Sequence, residues 1–489
     1  MDTQQKAREL FFLAQDARKN GCHAEAETYL REALIYAPGR ESVRTNLCGA
    51  LIDQKKHAEA LGLCKDLVID FPANAVAWHR LSLCQFATDQ MEEALESVKR
   101  CIDLAPDNID ALVHRIAILL RMNDNDAALQ TCRDAVEHFP QDASLRTALG
   151  VVYGARREFD QALECHDIAM QFEPENPDKR WNLALVQLML GNQTAGWRNM
   201  EARWTTTNPA EMLYVGDAPR WDGSSPLRNR KIVVWGEQGL GDTIQFCRFI
   251  PHFLQSGANV IFQVPTSLYT LMRDNLPSVT VVAEGQLLPP HDFNLPLFSL
   301  PAFFFEDGKR TIPAPASLSS TTDRLETWRS RLCERHKHKV GLMWQGNLDN
   351  ARGRHRSVEL PKLAELFTLP LDFYCVSNTV SPSDAAWLRE HAPSVHTFTR
   401  DIGDFSDTAA LIKQLDLLIT IDTSIAHLGP ALGIPTWVLL PRSADWRWGT
   451  AESQTPWYPQ SRLFRQQTLG DWQPPVQALK SALANHFGA

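Results

Sequence analysis

Along the first 204 residues, apolar and small side chains recur with the spacing of amphipathic helices, and the pattern itself repeats. Pro38, Pro72, Pro106, Pro140 and Pro174 stand 34 residues apart. Ala26, Ala60, Ala94, Ala128 and Ala162 hold one register, twelve residues before each proline. Ala33, Ala135 and Ala169 lie five before theirs, with Leu67 and Cys101 at that place in the second and third units. A small side chain is needed where two helices cross closely. Proline ends a helix because it lacks an amide donor and clashes with the preceding turn. Each unit therefore reads as two antiparallel helices.

A 34-residue period of this kind is that of tetratricopeptide (TPR) repeats. Five full repeats and a partial unit from about 177 to 204, ending AGWRNMEARW, predict a helical superhelix over 1–204, with the last unit as its cap. Such an array offers a concave surface to a protein partner; a spacer or a dimerisation element is the plainer alternative. Asp124-Asn125-Asp126 spells a DxD, but it falls between two helices and is assigned to turn chemistry. His79, His114 and His166 show no ligand spacing and read as helix-surface or packing residues.

The periodicity changes after a Thr-, Pro-, Gly- and Ser-rich join at 205–230. KIVVW (231–235) and NVIFQVP (259–265) are apolar runs around a helical stretch, DTIQFCRFIPHFLQS, which is a βαβ unit. After the loop TIPAPASLSSTTD, the runs 339–344, 372–377, 416–421 and 435–440 alternate with helical stretches near 360–367, 382–391, 405–415 and 424–433. The expected class is α plus α/β: a TPR superhelix, then two Rossmann-like parallel lobes, 205–320 and 321–489, with a ligand crevice at the carboxyl ends of their strands.

Composition narrows the partners. A net charge of −9 with 22% charged residues gives no basic footprint for nucleic acid or an anionic membrane surface. Ten scattered cysteines without a CxxC pair point to free thiols in a reducing compartment. The charged N-terminus and the lack of an 18-residue apolar run make a cytoplasmic protein without a membrane span the expectation.

Two turns carry candidate chemistry. In KIVVWGEQGLGDT, Gly236 and Gly241 have P-loop spacing, but Asp242 stands where a lysine would have to be, and its carboxylate would repel a triphosphate. The order GxxGxG is not that of a dinucleotide fingerprint, and the next strand ends in Gln263, with no acid for a ribose. Two readings of Asp242 stay open: a general base at the cleft, or a cap for the following helix. In DLLITIDTSIAHLGPALG, a buried strand ends at Asp422 and a helix opens at Thr423-Ser424, with His427 one turn in. Unpaired amides, hydroxyls and an imidazole make a cradle for a diphosphate, with simple capping as the alternative. Arg354, His355 and Arg356 would add cations at the cleft edge, or form a solvated loop. Trp446, Arg447 and Trp448 would stack on a base, or pack against the neighbouring lobe.

The segments GEQGLGDTIQFCRF, VGLMWQGN, RHRSVEL, DFSDTAALI, IDTSIAHLGPALG, DWRWG and QTPWYPQSRLFRQ, in this order, resemble bacterial TPR-containing glycosyltransferases related to the ADP-heptose:lipopolysaccharide heptosyltransferases. The resemblance covers nearly all of 175–489. It implies a GT-B fold and metal-independent, inverting transfer from a nucleotide-diphosphate sugar to an acceptor hydroxyl, with no cofactor. It implies Asp242 as the base, and a donor site from Gln238, Gly239, Gly241, Trp344, Asn347, Arg356, Asp422, Thr423, Ser424, His427 and Arg447. The acceptor would be a protein or glycan partner recruited by the TPR face. Two departures stand out: Pro430 lies inside the helix after Asp422, where a kink is expected, and the register Asn46, Arg80, His114, Ala148, Asn182 is no asparagine ladder of the kind TPR-fused O-GlcNAc transferases carry. The alternative function is a TPR scaffold with a nucleotide-binding but inactive α/β half. The enzymatic reading requires Asp242 and the start of the 424–433 helix to face each other across one gap.

Overall fold

The computed structural model describes residues 3–210, 214–306, 308, 311–332, 337–347 and 351–488. The chain divides into two compact units, Met1–Lys179 and Arg180–Ala489.

The first unit consists of helix pairs, from Thr3–Lys19 with His23–Tyr36 to Ala143–Ala155 with Phe159–Phe172. The register alanines at 26, 60, 94, 128 and 162 are fully buried, where the helices cross. Each repeat proline sits two residues beyond the end of its second helix. The residue before it, Ala37, Phe71, Ala105, Phe139 or Glu173, turns out of the helix with φ between −145° and −125°. Proline forces that turn by crowding the α conformation of its predecessor. Asp124 accepts from the Ala127 amide and caps Asn125–His138, in line with the turn reading. His114 and His166 are buried and their pKa values fall to about 4, chiefly through burial, so both are neutral near pH 7.

A second 34-residue register links the helices within each pair. Gly21, Lys55, Asp89, Asn123 and Arg157 all have φ between 61° and 74°. Only glycine adopts this left-handed conformation without a steric cost. Lys55→Gly is expected to stabilise the array by up to about 1 kcal/mol, and Gly21→Ala to destabilise it by a similar amount, read from thermal or urea melts.

The second unit holds two parallel sheets. The first contains β1 (Lys231–Trp235), β2 (Asn259–Val264), β3 (Thr280–Ala283) and β4 (Phe293–Pro296) in the order β3-β2-β1-β4. The second contains β5 (Lys339–Leu342), β6 (Asp372–Cys375), β7 (His396–Thr397), β8 (Leu417–Ile421), β9 (Thr436–Leu440) and β10 (Arg462–Arg465) in the order β10-β9-β8-β5-β6-β7. β3, β4, β7 and β10 are absent from the sequence reading: they run to four residues or fewer, and Pro296 and the arginines of RLFR mask the strand pattern. The stretch read as one helix after Asp242 is three short pieces, Leu240–Phe246, Cys247–Phe249 and Ile250–Leu254, and 360–368 is a 3₁₀ helix. The strand order reverses at β1/β4 and at β5/β8, the places where parallel α/β sheets generally bind ligands at their strand carboxyl ends.

The partial unit before residue 204 belongs to the α/β unit by packing. Trp197 and Met200 are fully buried in its core, with Trp197 edge-on to Phe246, Phe298 and Trp446 at 5.0–5.4 Å. A tryptophan that large fixes the helix bearing it to whichever core receives it.

The nine described cysteines are unbonded and all but Cys22 are buried; Cys333 lies outside the described residues. Among the described residues, no helix is long and apolar enough to cross a membrane.

Candidate functional site

The site is built from two strand ends. β1 stops at Trp235, and Gly236–Gly239 lead into the helix Leu240–Phe246. β8 stops at Ile421, and Asp422–Thr423 lead into the helix Ser424–Ala431. The two helix starts touch. A Cβ on Gly241 would lie 2.8 Å from His427 Cδ2 and 3.2 Å from the Ser424 Cα, so only glycine lets the two backbones approach this closely. Asp242 and the helix start are thus brought close together, whereas the enzymatic reading expects them to face each other across a gap. They abut at Gly241, and no gap separates them there, because that position has no side chain.

Of the two readings of Asp242, the cap is seen directly, and the carboxylate also faces the second sheet's residues. Its Oδ2 accepts from the Gly239 amide at 3.0 Å, which ties the turn to the helix. Its Oδ1 accepts from Nη2 of Arg447, which comes from the segment after β9. Arg447 also donates from Nη1 to Asp445 Oδ1 at 2.7 Å and from Nε to Gln245 Oε1 at 2.9 Å. Burial alone would weaken this guanidinium's hold on its proton; Asp242 and Asp445 reverse that and keep it firmly charged.

At the other strand end, Thr423 caps the helix, its Oγ1 accepting from the Ile425 amide at 3.3 Å. Ser424 is partly exposed beside it. Burial, and then the charge of Asp445, push the Asp422 carboxyl up to about 6, against the pull of Arg356 and Arg447. His427 is buried, its Nδ1 shares a 2.8 Å hydrogen bond with the Tyr458 hydroxyl, and its ring stacks on Trp448. Burial and the nearby Arg447, Arg248 and Arg356 push its pKa well below the usual value. It is a neutral imidazole, able to donate or accept a hydrogen bond but adding no charge.

The remaining predicted residues divide. Gln238 and Gly239 are exposed on the turn. Arg356 ends the helix Ala351–Arg356, and its Nε is buried without a hydrogen-bond partner among the described residues. Asn347 is exposed at the end of its described segment. Trp344 points away from the site: it is 3% exposed, packs in the core of the second sheet, and donates from Nε1 to Asp384 at 3.0 Å. Trp446 and Trp448 are buried packing residues, so neither ring offers a face for a base. Pro430 falls in the last turn of its helix, which ends at Ala431; the expected kink is a helix end.

Sequence reading missed the support beneath the turn. Glu237 follows Gly236 and is almost wholly buried. It accepts from Arg203 Nε at 2.7 Å, Arg203 Nη2 at 2.9 Å and the Phe298 amide at 3.0 Å. Burial pushes this carboxyl up, and the three donors pull it back. Arg203 also donates to Ser299 and Glu201, and its guanidinium lies 4.5 Å from the Trp204 ring centre. Arg203 sits in GWRNMEARW and Glu237 in the glycine turn, but 34 residues of separation hide their pairing.

Comparison with known proteins agrees with the repeat analysis. Family models described as Tetratricopeptide repeat match residues 51–116 and 85–152, and residues 13–75. The chain is 26% identical over 464 residues to Protein FlbA of Caulobacter vibrioides, a match spanning 90% of this chain and 72% of that protein. It is 26% identical over 113 residues to Protein CTR9 homolog of Arabidopsis thaliana, covering 23% of this chain and 10% of that one. Among solved structures, TTC0263, a thermophilic TPR protein of Thermus thermophilus, is 20% identical, with a TM-score of 0.34 over 37% of this chain and 99% of that chain. The N-terminal helices are TPR repeats; the FlbA match, at 464 residues, runs across both halves.

Proposed function

We propose that the α/β half is an inverting, metal-independent glycosyltransferase of GT-B type, which moves a sugar from a nucleotide-diphosphate donor to an acceptor hydroxyl, and that the TPR array recruits the acceptor or its carrier. The observation that carries this reading is the meeting of Asp242, from one sheet, with Arg447, Asp445, Asp422 and Ser424, from the other, at the carboxyl ends of β1 and β8. In the reaction the acceptor oxygen attacks the anomeric carbon and gives its proton to Asp242. The bond from that carbon to the diphosphate oxygen breaks, and the leaving group keeps the electron pair. Arg447, Arg356 and the amides at Ser424 balance the charge that builds on it, each such contact contributing roughly 3–4 kcal/mol when pre-organised. In the arrangement described, Arg447 holds Asp242, so the donor phosphates must draw Arg447 away before Asp242 accepts a proton.

The alternative, a TPR interaction protein whose α/β half binds a nucleotide without turnover, draws on one observation: Gly241 is seated on Ser424 and His427 while both Asp242 oxygens are engaged. Calorimetry with a panel of nucleoside diphosphates and nucleotide-sugars, followed by an assay for released nucleotide in the presence of lysate acceptors, separates the two. Binding followed by turnover is the expected result. Binding without turnover supports the scaffold reading, and no binding by any nucleotide removes the transferase.

A further inference from the structure

The direction of one hydrogen bond decides what His427 can offer a ligand. Its Nδ1 lies 2.8 Å from the Tyr458 hydroxyl. Both residues are buried; the imidazole stacks on Trp448, and the tyrosine ring centre is 5.6 Å from its own. A neutral imidazole carries one proton, and the hydrogen bond made at one nitrogen determines which nitrogen holds it. Two arrangements fit the distance: Nδ1–H donates to the tyrosine oxygen, or the tyrosine O–H donates to a bare Nδ1. The first leaves the hydroxyl proton in need of another acceptor. Around that hydroxyl stand the Arg248 and Arg447 guanidinia, which only donate, and the Cys247 thiol, which itself donates to the Ile244 carbonyl at 3.2 Å. Arg248 lies 4.8 Å from the Tyr458 ring centre and donates to the carbonyls of Gln245, Pro313 and Trp457 at 2.7, 3.1 and 3.0 Å, which hold it in place. The hydroxyl proton therefore goes to Nδ1, and the imidazole proton sits on Nε2. A Cβ on Gly241 would lie 3.4 Å from Nε2, so this nitrogen stands where the two sheets meet. Among the described residues Nε2 has no hydrogen-bond partner.

We propose that Tyr458 is a positioning residue that fixes His427 as the Nε2–H tautomer, and that Nε2–H donates to a diphosphate oxygen of the nucleotide ligand where Gly241 meets Ser424. The ligand contact rests on the transferase reading of the site; the tautomer does not. A neutral donor suits this place. Arg447 and Arg356 already supply positive charge, and a cationic imidazole would be repelled by both. The same bond excludes His427 as a general base, because Tyr458 occupies its one basic nitrogen, and so leaves proton removal to Asp242.

The test is nitrogen NMR of the full chain, isotopically labelled at histidine, beside calorimetry with ADP, GDP, UDP and CDP. The signals of His427 are those lost in His427→Gln. In the parent chain they should be those of a neutral Nε2–H imidazole with a hydrogen-bonded Nδ1. Tyr458→Phe keeps the ring and removes only the hydroxyl. It should move the Nδ1 signal to that of an unbonded nitrogen and weaken nucleotide binding about threefold or more. The amide N–H of His427→Gln reaches about as far as Nε2, so that variant should bind within about threefold of the parent. The amide of His427→Asn reaches only as far as Nδ1, and its binding should fall about tenfold or more, the scale of one hydrogen bond to a charged group. This pair decides the ligand contact if Tyr458→Phe fails to fold. An Nδ1–H or doubly protonated His427 in the parent chain overturns the proposal. So does an Nδ1 signal unmoved in Tyr458→Phe, or one that moves while nucleotide affinity stays the same. Equal binding by His427→Gln and His427→Asn overturns the Nε2 contact. If none of the four nucleotides binds the parent chain, the transferase reading fails and takes the ligand contact with it, while the nitrogen signals still decide the tautomer and the part of Tyr458 in setting it.

Discussion

Asp242→Asn should bind a nucleoside diphosphate at least as tightly as the parent chain and transfer sugar about 10²–10⁴-fold more slowly, the usual contribution of a general base. Both halves of this expectation come from the same contact. The carboxylate oxygen that would take the acceptor proton is the one on Arg447, and the guanidinium that would hold the leaving diphosphate is therefore engaged before the donor arrives. Asparagine keeps an oxygen for the Gly239 amide, so the turn is retained, but it drops the charge that competes for Arg447. Calorimetry and a released-nucleotide assay on one preparation read the two effects together. Full transfer activity with normal donor binding would remove Asp242 as the base. Weaker diphosphate binding would show that it does not compete for Arg447.

Arg203→Met should destabilise the α/β unit by about 3–5 kcal/mol, because it leaves the Glu237 carboxylate buried without its cation. The double variant Arg203→Met with Glu237→Leu should recover most of that loss, since it removes both desolvated charges and replaces them with apolar volume. Urea denaturation of the full chain, followed by tryptophan fluorescence, compares the two; Trp204 and Trp235 lie near the pair and report on it. A single variant that loses less than about 1 kcal/mol would mean that the pair contributes little to holding the turn. The pair also connects to the chemistry. Glu237 fixes Phe298 and the start of the turn whose far end carries Asp242. The double variant is thus expected to fold well while holding Asp242 less tightly, because packing alone does not dictate a turn's orientation as a bidentate hydrogen bond does.

The sequence by itself determined the elements whose signals are local. The 34-residue register specified the repeats down to their fully buried alanines, because a helix crossing accepts only a small side chain and a proline constrains the residue before it. Apolar runs between turn residues located the central strands β1, β2, β5, β6, β8 and β9. The outer strands β3, β4, β7 and β10 were not legible: β5 and β6 are as short as β3 but lie in six-residue runs, 339–344 and 372–377, whereas β4 ends in Pro296, β10 is bounded by arginines and β7 has two residues. At the site, the sequence singled out Asp242, Arg447 and the Asp422–His427 segment, and the fold brings them together. It also named Trp344, whose ring the fold turns into a core, because a motif fixes a position and the surrounding packing decides which way the side chain points. Only the tertiary structure decided that Arg447 lies on Asp242, 205 residues away in the chain. It alone decided that Gly241 rests on the opposing helix and that Arg203 underpins the glycine turn. Each of these is a meeting of residues distant in sequence, governed by how sheets and helices close on one another, and nothing in local composition records it.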